Sequence, residues 1–191
     1  RSIYSRVNQK GMVDMQKVLV LGGSGFLGRH VVSELKKRNF HAGITGEGAR
    51  SRRYLLTGQL VPETELELFG IQLVEEARAV RQYALTICDR SVFDIVMYSR
   101  LFFPRLTRAH RRIFEGMEDF VRAYGGTYEA IFRMTNLYDP SLTRDPLRPK
   151  DPKLQRRTHE MLQKVLDEFG VPYFDVPHEN QVEFVVGELE E

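Results

Sequence analysis

A short aliphatic run followed by closely spaced glycines most constrains what this chain can fold into. Residues 18–21 have the sequence Val-Leu-Val-Leu, and four of the seven residues at 22–28 are glycine. An apolar run that ends at glycine is typical of a buried parallel strand. The amphipathic pattern of residues 27–38 predicts a helix directly after the turn. Because such a turn exposes backbone amides at the positive end of a helix, we predict that residues 22–28 approach a phosphate.

Apolar and amphipathic segments alternate along the rest of the chain. Further strands are predicted at residues 41–45, 83–88, 128–134 and 171–176. Helices are predicted at residues 49–57, 62–81, 92 to near 104, 108–124, 153–169 and 179–189. This order indicates an α/β fold, in which helices cover both faces of a five-stranded parallel sheet. In such sheets the site lies beyond the carboxyl ends of the strands.

Length and charge suggest one domain with a basic arm. The chain has 191 residues, of which 42% are hydrophobic, so it can bury a full core. We expect an arm at residues 1–15 and a folded domain at residues 16–191. A second basic stretch follows later, comprising Arg100, Arg105, Arg108, Arg111 and Arg112. Both basic stretches are interpreted either as solvated surface or as contacts for a protein partner. A further interpretation is the remnant of an organellar presequence for the arm and a phosphate-binding surface for the second stretch.

Composition excludes several classes of protein. The single Cys88 cannot form an intrachain disulfide and gives no zinc cluster. The chain contains no run of about 18 apolar residues, so no membrane span is predicted. The net charge of +2 gives no clear nucleic-acid signature. We expect a protein of the cytoplasm or the mitochondrial matrix.

One resemblance is confined to the first turn. Gly23, Gly25 and Gly28 form the pattern G-x-G-x-x-G between a strand and a helix, and residues 18–32 resemble NAD-dependent epimerases and related short-chain dehydrogenases. The resemblance implies an NAD(P)-binding Rossmann module. That family's Tyr-x-x-x-Lys is absent, because no tyrosine has lysine four residues later.

A second resemblance extends over most of the chain. Gly23 and Gly28 also have the spacing of the phosphate-binding loop G-x-x-x-x-G-K-[S/T], with Arg29 in place of lysine and His30 in place of the hydroxyl. From about residue 17 to residue 189 the chain resembles P-loop nucleoside and nucleotide kinases of the ribosylnicotinamide-kinase and phage-type group. This resemblance implies a three-layer α/β/α P-loop fold.

Three later motifs carry this second resemblance. Residues 47–50, Glu-Gly-Ala-Arg, look like the E-x-A-R segment that meets the acceptor substrate. Residues 86–91 end in Asp-Arg-Ser and look like the D-R-S motif of the third strand. Residues 144–148, Arg-Asp-Pro-Leu-Arg, look like the arginine-bearing lid before the last strand.

The resemblance implies a role for each candidate residue. The predicted nucleotide-binding residues are Gly23, Ser24, Gly25, Gly28, Arg29 and His30. The predicted substrate-binding residues are Glu47, Arg50 and Arg90. The predicted catalytic residues are Asp89, Arg29, Arg144 and Arg148. ATP and Mg²⁺ are the implied cofactors, and no protein-built metal site is predicted. Each group also has a plain structural interpretation, such as an Asp89–Arg90 pair that fixes the helix beginning after Ser91.

Three functions remain open from the sequence. An active chain would be a phosphotransferase that moves the γ-phosphate of ATP to a nucleoside or nucleotide. A catalytically degenerate kinase fold would act as a binding or structural subunit of a larger assembly. A Rossmann module would bind NAD(P) through the first turn alone.

Overall fold

Strands and helices alternate through the described part of the molecule. The structure is a computed structural model that describes residues 16–21, 27–45, 60–136 and 151–190. Its strands are β1 (Gln16–Leu21), β2 (Ala42–Ile44), β3 (Leu85–Asp89), β4 (Ala130–Met134) and β5 (Phe174–Val176). Its helices are α1 (Leu27–Lys37), α2 (Pro62–Gln82), α3 (Val92–Phe102), α4 (Arg108–Gly125), α5 (Pro152–Phe169) and α6 (Gln181–Glu190). The predicted α/β class with a five-stranded parallel sheet is confirmed.

The order of the strands decides between the two resemblances. The sheet has the order β2-β3-β1-β4-β5, and every pair is parallel. Strand β3 therefore lies between β1 and β2, with Val20 paired to Asp89. In the dinucleotide-binding fold the second strand is the direct neighbour of the first. The Rossmann interpretation of the first turn is therefore wrong. The glycine pattern on which it is based carries no information about the position of the third strand in the sheet.

Burial on both faces explains why β1 is a continuous apolar run. Leu19 and Leu21 pack on one face with side chains of α3, α4 and α5. Val18 and Val20 pack on the other face with side chains of α1 and α6. A strand covered on both sides has no solvent-facing positions, so its sequence shows no alternation.

The ends of the elements follow local chemistry. The Ser91 hydroxyl caps α3 by accepting a hydrogen bond from the backbone N–H of Phe93 at 3.0 Å, as its position predicts. Gly170 ends α5 with φ of 64°, and the N–H of Val171 bonds back to the carbonyl of Leu166. Val171 belongs to this turn and Pro172 has no N–H to donate, so β5 is shorter than the predicted strand at residues 171–176.

Some predictions fall outside the described residues. They are the basic arm, the predicted helix at residues 49–57 and the arginine-bearing segment at residues 144–148. None of the helices in the described ranges is long and apolar enough to cross a membrane.

Candidate functional site

The carboxyl end of β3 meets the first turn of α1. A methyl group added at Gly28 would lie 3.2 Å from Asp89 Cβ and 3.2 Å from Ile44 Cδ1. Glycine at this position therefore allows the start of α1 to lie directly against β3. The structure thus brings together Gly28 and Asp89, which the sequence predicted from separate motifs.

Asp89 is held from the neighbouring strand. Its backbone N–H donates to Thr45 Oγ1 at 3.3 Å, and the N–H of Thr45 donates to the carbonyl of Ile87 at 3.0 Å. Asp89 is 7% exposed. Its carboxylate therefore lies at the edge of the core, at the sheet edge where α/β proteins place their sites.

A strained turn follows Asp89. Arg90 has φ of 99°, a conformation that costs a residue with a side chain about 1–3 kcal/mol. Its guanidinium lies 3.5 Å from Asp94 Oδ1, and the other carboxylate oxygen of Asp94 accepts from the N–H of Ser91 at 2.9 Å. Burial raises the pKa of Asp94, while Arg90 and the Ser91 bonds oppose that rise. The acid that anchors Arg90 is thus Asp94, a role that the sequence analysis missed.

The first turn of α1 presents two side chains to solvent. Leu27 and Gly28 are buried, whereas Arg29 and His30 are exposed. The first turn of α1 has no acidic residue. An acid-free helix start with an arginine favours a bound anion.

The remaining predicted site residues lie outside the described residues. These residues are Gly23, Ser24, Gly25, Glu47, Arg50, Arg144 and Arg148. Their predicted roles stay predictions.

A buried polar cluster lies behind the Asp89 turn, and sequence reasoning missed it. The Glu76 carboxylate accepts bonds from Lys17 Nζ at 3.3 Å, Gln72 Nε2 at 3.0 Å, Tyr124 OH at 3.1 Å and Tyr128 OH at 2.9 Å. Gln72 Nε2 also donates to the carbonyl of Arg90 at 2.9 Å. Burial lowers the pKa of Lys17, while Glu76 opposes that change.

The only sequence signal for this cluster is on α2. Gln72 and Glu76 are four residues apart and therefore share one face of the helix. Both are buried, as is Glu65, which is seven residues before Gln72. Burial raises the pKa of Glu65 to about 7, and its Oε2 has no hydrogen-bond partner in the described part of the chain. A polar stripe on an amphipathic helix ordinarily predicts a solvated face, but here it faces inward.

The second basic stretch is less uniform than its sequence indicates. Arg100 pairs with Glu118 at 2.7 Å and with Glu168 at 2.5 Å, and these bonds hold its pKa above its usual value. Arg100 therefore joins α3 to α4 and α5 and is half-buried, and the partner role predicted for this stretch stays a prediction. The other arginines of the stretch are exposed, namely Arg105, Arg108, Arg111 and Arg112.

Mg²⁺ fits this site only together with phosphates. No group of three His, Cys, Asp or Glu side chains converges as a metal site within the described ranges. Mg²⁺ in phosphoryl-transfer sites uses one or two carboxylates, with water and substrate phosphates completing its shell. Asp89 is a carboxylate at this edge of the sheet, and it would hold the ion through a bound water. His30 offers a ring nitrogen where Mg²⁺ prefers oxygen.

Comparison with known proteins gives the same fold. A family profile described as "AAA domain" matches residues 30–183. The solved structure of NadR protein in complex with NAD and AMP-PNP is 16% identical with a TM-score of 0.67, and the match covers 91% of this chain and 48% of that one. This chain thus spans about half the length of NadR. No curated protein matches the chain.

Two kinases also share the fold over nearly their whole length. Deoxyadenosine kinase from M. mycoides with bound dATP is 14% identical with a TM-score of 0.56, covering 92% of this chain and 100% of that one. Thymidylate kinase from Candida albicans is 12% identical with a TM-score of 0.63, covering 91% and 90%. Since the profile spans most of the sequence and the solved kinases share the fold, the chain belongs to the AAA domain family and has the P-loop fold of nucleoside and nucleotide kinases.

Proposed function

We propose that this chain binds a nucleoside triphosphate at the turn between β1 and α1 and transfers its γ-phosphate to a nucleoside or nucleotide. The observation that carries the proposal is the close approach of Gly28 to Asp89. It sets an acid directly beside an acid-free helix start, at the carboxyl edge of a parallel sheet. The kinases that share this fold act on nucleosides and nucleotides, which supports the choice of acceptor.

Each described site residue has a distinct task under this proposal. The amides at the start of α1 bind phosphate oxygens, and Arg29 adds positive charge beside them. Asp89 orients the acceptor hydroxyl and accepts its proton, as a carboxylate beside the start of α1. Arg90 binds the acceptor, through its phosphate where the acceptor carries one. Mg²⁺, when bound, neutralises charge on the phosphates.

The proposal is tested by turnover and by one substitution. Wild-type protein is assayed with ATP and Mg²⁺ against ribosylnicotinamide, deoxyadenosine and thymidylate. We expect product with at least one acceptor, and Asp89→Asn should reduce kcat by about a hundredfold or more, the usual range for a positioned acid or base. Asp119→Asn is the matched control, since Asp119 is an exposed acid of α4 that pairs with Arg122. Full activity in Asp89→Asn would exclude this assignment.

A second candidate function rests on Arg29 and His30. Both side chains are exposed on the first turn of α1, where the P-loop pattern has a lysine and a hydroxyl. Arginine is a bulkier, planar cation, and imidazole is a poor ligand for Mg²⁺. In a degenerate kinase fold, the chain would bind nucleotide without Mg²⁺ and serve as a binding subunit. ATP affinity that is equal with Mg²⁺ and with EDTA, together with no turnover, would favour this candidate.

A further inference from the structure

The turn at Asp89 and Arg90 is supported from behind by α2. Gln72 is 7% exposed and is the side chain of α2 that donates to the carbonyl of Arg90, at 2.9 Å. The same nitrogen donates to Glu76 Oε1 at 3.0 Å. Each N–H of the amide therefore has its own acceptor, so the direction of the amide is fixed.

Glu76 is in turn fixed by groups from three other parts of the chain. Lys17 comes from β1, Tyr124 from α4 and Tyr128 from the segment before β4. The Lys17 ammonium also lies 3.6 Å from the centre of the Tyr124 ring and 4.0 Å from that of Tyr128. A fully buried carboxylate with this many donors has one stable orientation. Because Gln72 donates a hydrogen bond to this fixed carboxylate, the orientation of the Gln72 amide is fixed as well.

The residue whose carbonyl Gln72 holds is the strained one. Arg90 adopts its positive φ between a strand and a helix, without the freedom of glycine. Such a conformation persists only where surrounding contacts over-determine it. The Asp94 carboxylate secures the helix side of the turn through Ser91 and Arg90. Gln72 secures the carbonyl side.

We propose that Gln72 is a positioning residue that keeps the Asp89–Arg90 turn in its strained conformation, with Glu76 fixing the amide of Gln72. This inference rests on the proposed function, because it assigns the turn to the acceptor side of that site. Gln72 touches neither nucleotide nor acceptor. Its effect reaches them through the backbone of Arg90.

The first measurement is independent of any ligand. Amide hydrogen exchange is measured by NMR at Ser91 and Phe93, whose N–H groups bond within this turn. We expect Gln72→Met to speed exchange at both amides by about tenfold, the effect of losing one net hydrogen bond. Gln72→Asn keeps a shorter amide that cannot reach both acceptors. It should therefore also speed exchange at both amides, with a smaller loss of stability than Gln72→Met. Unchanged exchange in both variants would overturn the proposal.

Tyr124→Phe serves as the matched control. It removes one donor from Glu76 at 3.1 Å but leaves the bonds of Gln72 in place. We expect this variant to have a lower Tm. When it is compared with wild type at equal global stability, exchange at Ser91 and Phe93 should differ by no more than about twofold. Equal acceleration in Tyr124→Phe and Gln72→Met would mean that general loosening of the core explains both, which also overturns the proposal.

The second measurement separates positioning from simple stability. With ATP and the acceptors named above, Gln72→Met should raise the acceptor KM about tenfold and leave the KM for ATP within about twofold. Faster exchange with unchanged acceptor KM would refute the positioning role. A wild-type protein without turnover would refute the proposed function alone, and the exchange comparison would still confirm or overturn the role of Gln72 in the turn.

Discussion

Gly28 shows how one missing side chain sets the distance between a helix start and a strand end. A Cβ at this position would lie 3.2 Å from Asp89 Cβ, which is attached to the backbone and has little room to move, and 3.2 Å from the more adaptable end of Ile44. Both contacts are closer than ordinary van der Waals distance. A side chain at Gly28 therefore requires α1, Asp89 or Ile44 to shift by a few tenths of an ångström.

The first prediction follows from this contact. Gly28→Ala should lower the free energy of unfolding by about 1 kcal/mol and weaken ATP binding, because the added methyl group overpacks the junction. Gly116→Ala is the control: Gly116 lies within α4 with open space around its Cα, so alanine should stabilise by about 0.5–1 kcal/mol. Urea unfolding and ATP titration measure both effects. Equal shifts in the two variants would show that the junction is not closely packed.

The second prediction concerns Glu65 and pH. Its folded-state pKa of about 7 lies above the ordinary 4.5, so the folded state keeps a proton that the unfolded state loses first. Stability from this group is therefore full below pH 4.5 and falls as pH rises through 7. The total loss is about 3 kcal/mol, since one pKa unit corresponds to about 1.4 kcal/mol.

Glu65→Gln isolates this effect. The variant should be more stable than wild type at pH 8 and should lack most of the decline between pH 5 and pH 8. Urea unfolding at several pH values measures the difference between the two proteins, which cancels the titration of other groups. A constant difference across this range would contradict the assignment.

Sequence alone could find some of these residues and not others. Asp89 and Arg90 are predictable because they follow an apolar strand, where parallel sheets place polar site residues. Glu76 and Lys17 are not, because they are 59 positions apart and nothing local indicates that they meet. Asp94 was missed for a simpler reason, since an acid three residues after Ser91 is equally typical of an ordinary capping box.

At the scale of elements, α2 contacts β1 and α4 through buried polar groups as well as through an apolar contact between Phe69 and Phe120. Its buried residues include Gln72 and Glu76, whereas its leucines and Phe69 lie partly buried beside them. The bounds of α2 were predictable from Pro62 and from its helical composition. The inward direction of its polar stripe was not, because that depends on Lys17 and two tyrosines from other elements.

The third prediction tests this polar contact. Glu76→Leu should destabilise the protein by about 3–5 kcal/mol, because it leaves Lys17 buried without its carboxylate. Replacing both partners, as Lys17→Met with Glu76→Leu, should recover a large part of that loss. Thermal unfolding and a double-mutant cycle measure the coupling. Additive losses would show that the two side chains do not stabilise each other.

At the scale of the whole molecule, strand order distinguishes folds that share a first turn. Both the P-loop kinases and the dinucleotide-binding proteins begin with a strand, a glycine turn and a helix. In this chain β3 lies between β1 and β2, and this order distinguishes the P-loop kinase fold from the dinucleotide-binding fold. The sequence could predict this order only through motifs downstream of the turn, and the family match likewise begins at residue 30, after the glycines.

The fourth prediction uses ligands to test that distinction. ATP at about one hundred times its Kd should stabilise the protein by about 2.7 kcal/mol and raise Tm by several degrees. NAD⁺ at the same concentration should leave Tm unchanged, because the sheet lacks the dinucleotide-binding strand order. Thermal unfolding with each ligand measures this. A shift with NAD⁺ and none with ATP would contradict the assignment of the turn.

The two outermost strands of the sheet have a consequence for behaviour at high concentration. Both β2 and β5 are only three residues long, while the central β1 has six. Unpaired backbone at the margins of a sheet is the usual template for fibrils and exchanged strands. With so few free amides and carbonyls along either margin, the folded domain offers a poor template for adding strands from a second molecule, and self-association through sheet extension should be weak.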